Sequence, residues 1–347
     1  MNIRTQVKTH SHAFAATRIA DNVLDLIGQT PMVRLPRYLD REDVNLVAKV
    51  EALNPGGSAK DRPARHMIER ALADGRLNPG DTVVESSSGN MGIGLAQACA
   101  VHGLRFICVV DPNAQSQNVA IIRALGGQIE LVDHAPDGDF LAARLDRVAK
   151  LLEEDSRRFW PNQYANLDNP ESHELGTIAE IDAALGGQID ALFVACSSTG
   201  TARGCRDYLR RMGRKTKVVA VDAMGSTLFN GTAGPRKISG MGAGRIPELA
   251  KGQEFDDLVR VSDVTCVAGC RRAVAREGLL VGGSGGGVLE AVRGMQDELA
   301  GLTVAAIIHD SGSRYLGTVF DPDWVERELG ICEADVTALA GLAPADS

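Results

Sequence analysis

The stretch TVVESSSGNMGIGLAQACAVHGLRFICVVD, residues 82–111, decides the architecture. It opens on an apolar run at 82–86, closes on another at 105–111, and carries a helical pattern over 91–102 between them. Neither flanking run alternates apolar with polar residues. Both are nearly continuous in Val, Ile and Phe, as strands covered on both faces are. A strand–helix–strand unit of roughly 30 residues builds a parallel sheet.

The same rhythm continues outward in both directions. Further strands are expected at 31–35, 45–51, 129–133, 191–196, 217–223 and 304–310. Helices are expected at 62–75, 116–125, 138–154, 172–186, 201–212, 265–277 and 285–300. The pattern predicts an α/β protein with parallel sheets in two blocks. One block runs over 48–157, and the other over 158–325 with residues 20–47 folded onto it. The boundary falls near RRFWPNQYANLDNP (157–170), which is polar, aromatic and rich in Asn and Pro. Residues 1–19 and 331–347 read as extensions, and the weakly patterned tail EADVTALAGLAPADS is expected to be loose.

Composition narrows the function. The 347 residues are 44% hydrophobic and 24% charged, ordinary values for a soluble globular chain. Net charge is −8, from 37 basic against 45 acidic residues, which argues against a nucleic-acid partner. Small anionic ligands remain open, because a local basic site need not show in the total. No apolar run approaches membrane-spanning length, and the polar start MNIRTQVKTHSHAFAATRIADN has no apolar signal core. Seven cysteines are scattered, several in apolar runs, and read as buried thiols in a reducing cytoplasm. No His/Cys spacing supports a metal.

Three small-residue loops stand beside expected strand–helix junctions, where parallel sheets gather their ligands. In ESSSGNMGIGLA (85–96), the hydroxyls and the exposed N–H groups of a helix start would hold a carboxylate. An ordinary N-cap is the plain alternative. CSSTGTARG (196–204) suits a phosphate cradle at a helix N-terminus, yet it is neither a P-loop nor a GxGxxG fingerprint. VGGSGGGVLEA (281–291) sets glycines around Ser284, for close approach to a flat ligand or for a tight turn. Upstream, ALNPGGSAKDRPARHMI (52–68) seats Lys60 directly after a Pro-Gly-Gly turn. Alone, Lys60 would read as a solvated charge. With the three loops it completes a set: an amine, a carboxylate grip, a phosphate cradle and a glycine-lined floor. A phosphorylated aldehyde cofactor, pyridoxal 5′-phosphate, uses all four.

The chain resembles the fold-type II pyridoxal-phosphate enzymes of the cysteine synthase and cystathionine β-synthase family. IGQTPMVRL, NPGGSAKDRPA, SSSGN, NQYANLDNP, SSTGT, GMGAGRIPE, EGLLVGGSGGG and SGSRYL follow in family order over about residues 20–325. The resemblance implies two three-layer αβα domains. The smaller, 48–157, would be mobile and grip the substrate, and the larger, 20–47 plus 158–325, would hold the cofactor. It implies a homodimer. It makes Lys60 the lysine that condenses with the cofactor aldehyde and Asn90 a contact to its 3′-oxygen. Ser197, Ser198, Thr199, Gly200 and Thr201 would hold its phosphate, and Ser284 would face its pyridine nitrogen. Ser87, Ser88 and Gln163 would take the substrate carboxylate.

Within the family, VVDPNAQSQN, VDAMGSTLF, GMGAGRIPE and SGSRYLGTVFDPDW resemble the branch that forms N-(2-amino-2-carboxyethyl)-L-glutamate, a 2,3-diaminopropionate precursor for siderophores and antibiotics. Such enzymes join O-phospho-L-serine, or an acetylated serine, to L-glutamate. Cysteine synthesis from sulfide is the alternative, and a catalytically retired binding protein is a second. Three departures argue against sulfide: Met91 where the sulfhydrylases usually carry Thr, Ser197 where they carry Gly, and Arg245 where they carry an apolar aromatic residue. Anionic substrates require cations, for which Arg144 and Arg245 are candidates, and Tyr164 could line the second-substrate pocket. Arg144 has no acid three or four residues away along its helix. His134 and His309 read as structural.

Overall fold

The computed structural model describes residues 19–135 and 138–343; the leading segment, expected to be an extension, lies outside the described residues up to position 18. Val, Ile and Ala runs form ten strands: β1 Met32–Arg34, β2 Asn45–Val50, β3 Thr82–Glu85, β4 Arg105–Val110, β5 Gln128–Leu131, β6 Arg158–Phe159, β7 Ala191–Ala195, β8 Lys217–Ala223, β9 Asp257–Val261 and β10 Thr303–Ile308. The helices are α1 Asp61–Ala73, α2 Asn90–Val101, α3 Ser116–Ala124, α4 Phe140–Glu154, α5 Asp168–Ser172, α6 Ile178–Ala184, α7 Gly200–Arg211, α8 Asp263–Glu277, α9 Gly283–Gly294, α10 Pro322–Leu329 and α11 Glu333–Leu339. A π-helical turn, His173–Thr177, joins α5 to α6.

Two sheets result, ordered β1-β2-β10-β7-β8-β9 and β5-β4-β3-β6. Every pairing is parallel except β1 with β2. All five residues of β7 and all four of β3 are buried, as continuous apolar runs require when helices cover both faces. The α/β architecture therefore matches expectation. The short or edge strands β6 and β9 and the helices α10 and α11 are not among the expected elements. Among the described residues, no helix is long and apolar enough to cross a membrane.

Two expectations are corrected. Over its described residues, 333–343, the tail is docked and not loose: α11 buries Val336, and the fully buried Arg272 donates from Nη1 to the Ala340 carbonyl at 2.8 Å. Arg272 also binds the Tyr38 carbonyl and Asp40, so a buried cation, rather than an apolar stripe, docks the segment. The loop around Ser284 does not follow a strand either. It joins α8 to α9, and Val281 makes only an isolated bridge to Ser311.

Its Gly286 is taken up by helix packing. A Cβ on Gly286 would strike the Cys266 carbonyl and sit 2.6 Å from Cys270 Sγ, and one on Gly269 would sit 2.8 Å from Glu290 Cγ. The helices α8 and α9 thus cross backbone to backbone. Overpacking such a crossing costs typically about 1–3 kcal/mol. Gly286→Ala should lower the thermal midpoint by several degrees, whereas Gly294→Ala, with nothing within 4 Å of its Cβ, should leave it level or slightly raised. Equal melting of the two variants in a calorimeter would refute the close crossing.

Candidate active site

The carboxyl ends of β3, β7 and β10 converge on one cavity of about 140 Å³. Lys60, Ser87, Asn90, Gln163, Tyr164, Ser197 and Ser284 all line it. These residues lie in segments far apart in sequence, and the sheets bring them together. Ser88 lies in the same loop as Ser87 but does not line the cavity.

Lys60 takes the N-cap position of α1, a place where Ser or Asp normally caps the helix with its side chain. Its amine is therefore free of capping. Burial holds the Lys60 pKa below the ordinary lysine range, against the opposing pull of Asp310 and Glu51. The turn before it is fixed by Asp61, which accepts hydrogen bonds from the Gly56 N–H and, at 3.3 Å, from Ser58 Oγ. Burial pushes that carboxyl up to about 7.

Glu85, buried at the end of β3, ties the serine loop to the crossing segment. It accepts from Ser86 N at 2.9 Å, Trp160 Nε1 at 3.0 Å and Gln163 N at 3.3 Å. Ser87 and Gln163 are thereby set on facing walls. Asn90, the first residue of α2, donates from Nδ2 to Asp310 Oδ2 at 2.7 Å and accepts from Arg314 at Oδ1. Asp310 also accepts from Tyr315 OH at 2.6 Å, while its buried Oδ1 has no partner among the described residues.

The SSTGT loop opens α7, a helix of 12 residues. Thr199 is held left-handed, at φ 67°, which turns successive N–H groups toward one concavity. Its hydroxyl accepts from Gln253 at 3.1 Å, and Thr201 Oγ1 lies 3.2 Å from His173 Nε2. Ser198 Oγ accepts from Asn169 and from the Gly200 N–H, both at 3.4 Å. A Cβ on Gly200 would overlap the Asn169 side chain, so glycine is required there. In this loop the backbone amides and the Ser197 hydroxyl are what remains for a ligand.

Sequence reasoning missed several wall residues: Ser239, Gly240, Tyr315, Asn118 and His309 line the cavity too. His309 stands at the end of β10, where the rule that found the other loops applies equally. Both its ring nitrogens are buried without partners, and burial, then the neighbouring Lys60, bring its pKa down to about 3. It is a neutral imidazole facing the amine. His134 is exposed and away from the cavity.

The two arginines expected to meet substrate anions do not line it either. Arg144 lies 3.0 Å from Asp111 Oδ2, an acid from the end of β4 that helical spacing cannot reveal. Arg245 is exposed and pairs with Asp139, the N-cap of α4.

The residues present fit pyridoxal 5′-phosphate. A desolvated amine without a carboxylate partner, the amide concavity at α7, and the partnerless hydroxyl of buried Ser284 offer an aldehyde site, a phosphate site and an uncharged ring contact. The chain belongs to the family described as pyridoxal-phosphate dependent enzymes, whose profile matches residues 23–310, and pyridoxal phosphate is its cofactor. Among relatives, it is 43% identical over 311 residues to an N-(2-amino-2-carboxyethyl)-L-glutamate synthase of Ralstonia nicotianae, covering 89% of this chain and 92% of that one. It is 41% identical over 314 residues to a synthase of the same name from Cupriavidus metallidurans, covering 89% and 92%. The solved O-ureido-L-serine synthase superposes with a TM-score of 0.82 at 34% identity, covering 88% of this chain and 96% of that one.

With its pKa depressed, Lys60 in the cofactor-free protein should titrate below the surface lysines. Reductive ¹³C-methylation followed by NMR titration reads this directly, and a Lys60 signal moving with the bulk lysines would contradict the desolvated seat.

Proposed function

We propose that this enzyme joins O-phospho-L-serine, or O-acetyl-L-serine, to L-glutamate by β-replacement, yielding N-(2-amino-2-carboxyethyl)-L-glutamate, a precursor of 2,3-diaminopropionate. The observation that carries this reading is the 43% identity to a synthase of that product over nearly the whole chain, together with a cavity built around Lys60.

When bound, the cofactor supplies an electron-withdrawing ring that acidifies the substrate Cα–H and lets the β-substituent depart. The chain does the rest. We assign the link to the cofactor aldehyde to Lys60, which once displaced by substrate stays beside Cα. Its depressed pKa favours the neutral amine, able to take the α-proton and return it later. Ser87 and Gln163, with the N–H groups that open α2, grip the substrate carboxylate. Asn90, fixed between Asp310 and Arg314, is assigned to the ring 3′-oxygen. Ser197 to Thr201 hold the phosphate. Ser284 meets the ring nitrogen with a neutral hydroxyl. An aspartate there would keep that nitrogen protonated, so the serine favours prompt elimination over racemisation.

We assign residues 48–157 to the smaller, moving domain and 20–47 plus 158–325 to the larger one. We place the enzyme in the cytoplasm, where its six buried free cysteines stay reduced, and as a homodimer on family grounds.

The reconstituted enzyme should consume phosphoserine or acetylserine with glutamate and release a product of the conjugate's mass. Rapid use of sulfide with no use of glutamate would replace this reading with cysteine synthesis. Borohydride treatment should fix the cofactor to the peptide carrying residue 60, and Lys60→Ala should lose both that label and turnover. Labelling at another lysine would sink the assignment.

A further inference from the structure

Glutamate as nucleophile brings a carboxylate beyond the one shared by every amino acid, and the pocket must meet it with a cation. The cations near the cavity are few. Arg144 is neutralised by Asp111 and Arg245 by Asp139. Arg314 is committed to Asn90 Oδ1 and the Gly56 carbonyl. Lys60 is reserved for the cofactor aldehyde.

Arg236 differs from all of these. It is half-buried, its Nε is buried without a hydrogen-bond partner, and its one hydrogen bond is a long 3.4 Å contact from Nη1 to the Met241 carbonyl. Among the described residues it has no ion-pair partner. The acid closest to it in effect, Asp222, is buried at the end of β8, where it accepts from Ala223 N and sits 3.8 Å from Arg260. A half-buried guanidinium with its Nε unpartnered keeps donors that an anionic ligand can take.

Its position says what that anion is. Ser239 and Gly240, three and four residues on, line the cavity. The loop then turns so that the guanidinium lies across Gly242 and Gly244, where a Cβ on Gly242 would sit 2.6 Å from Nη1. Gly242 N donates at 2.7 Å to the carbonyl of Cys196, the residue before the cavity-lining Ser197. Tyr164, a wall residue, is close enough to feel it: burial and then Glu85 raise the Tyr164 pKa, and Arg144 and then Arg236 oppose them. Arg236 does not itself line the cavity; it lies on the loop that carries Ser239 and Gly240 into the wall.

We propose that Arg236 binds the side-chain carboxylate of the incoming amino-acid nucleophile and so selects an acidic over a neutral second substrate. The proposal rests on the glutamate reading above. A charge-assisted arginine–carboxylate bond is worth roughly 1.5–3 kcal/mol, so its loss should weaken binding about ten- to a hundredfold.

The test compares the holoenzyme with Arg236→Gln and Arg236→Lys. In Arg236→Gln the KM for glutamate should rise about ten- to a hundredfold, phosphate release from phosphoserine without glutamate should fall far less, and the preference for glutamate over glutamine should narrow by a similar factor. Arg236→Lys should recover part of each. Retained cofactor absorbance and melting temperature in the variants exclude general damage. An unchanged glutamate-to-glutamine ratio in Arg236→Gln, or equal losses in both half-reactions, would overturn the assignment. Wild-type enzyme that ignores glutamate but consumes sulfide would overturn the underlying reading instead, and is recognised before any variant is made.

Discussion

A neutral cluster of four buried charges holds Lys60 in place. Arg62, two residues into α1, donates from Nε and Nη2 to Glu51 at 2.7 and 2.8 Å, and from Nη1 and Nη2 to Glu180 at 2.7 and 2.8 Å. Lys49 closes the set on Glu180 at 2.6 Å. Two cations and two anions balance in net charge, although Glu51 still pulls on the Lys60 amine. Burial would push the Glu180 carboxyl up, but Arg62 and Lys49 hold it at about 2. Removing one member of a buried ion pair costs about 3–5 kcal/mol, because its partner is left unneutralised. The start of α1 is therefore pinned to β2 and α6, and Lys60 inherits a fixed position and a desolvated amine together. The chemistry needs both.

The same economy of contacts joins the two sheets. Asn90 on α2 belongs with the smaller sheet, and Asp310, Tyr315 and Arg314 follow the last strand of the larger one. The triangle they form crosses between the sheets at the cavity wall. The ion pair of Arg245 with Asp139 makes a second crossing at the surface, where an exposed pair is worth only about 0–1 kcal/mol. One link is buried and directional, the other weak and wet. That asymmetry suits a cavity whose deep wall must stay registered while its rim can yield to substrate.

Much of this could be read in the chain. Continuous Val/Ile runs gave the parallel sheets, and Lys60, Asn90, Ser197 and Ser284 fell into one cavity because each flanks a β-strand end or a helix start. What escaped shares a physical cause. Asp111 neutralises Arg144 from another element, and no helical spacing contains that information. Of the glycines around Ser284, which read as a floor for a flat ligand or a tight turn, Gly286 serves the α8–α9 crossing, since a missing Cβ leaves the same mark in sequence whether ligand or helix comes close. His309 looked like a core histidine, and only the fold shows that its core position is also a cavity wall.

Several buried polar groups without a partner gather at the cavity, while others, among them Gln97, His102, Asp182, Arg206 and Arg271, lie elsewhere in the fold. Both nitrogens of His309, Asp310 Oδ1 and Ser86 Oγ lie around or just behind one cavity, as does the left-handed Thr199. Each buried unsatisfied group costs about 1–3 kcal/mol, and each residue in a rare backbone region a similar amount. A fold of marginal stability tolerates that concentration only where other contacts over-determine the local structure. Here they do: the tetrad beneath Lys60, the close helix crossing beneath Ser284 and the Arg272 clamp on the tail lie below or beyond the cavity and leave its lining unpaired. The polar groups left unsatisfied at the cavity are therefore ones that a phosphorylated, hydrogen-bonding ligand can satisfy.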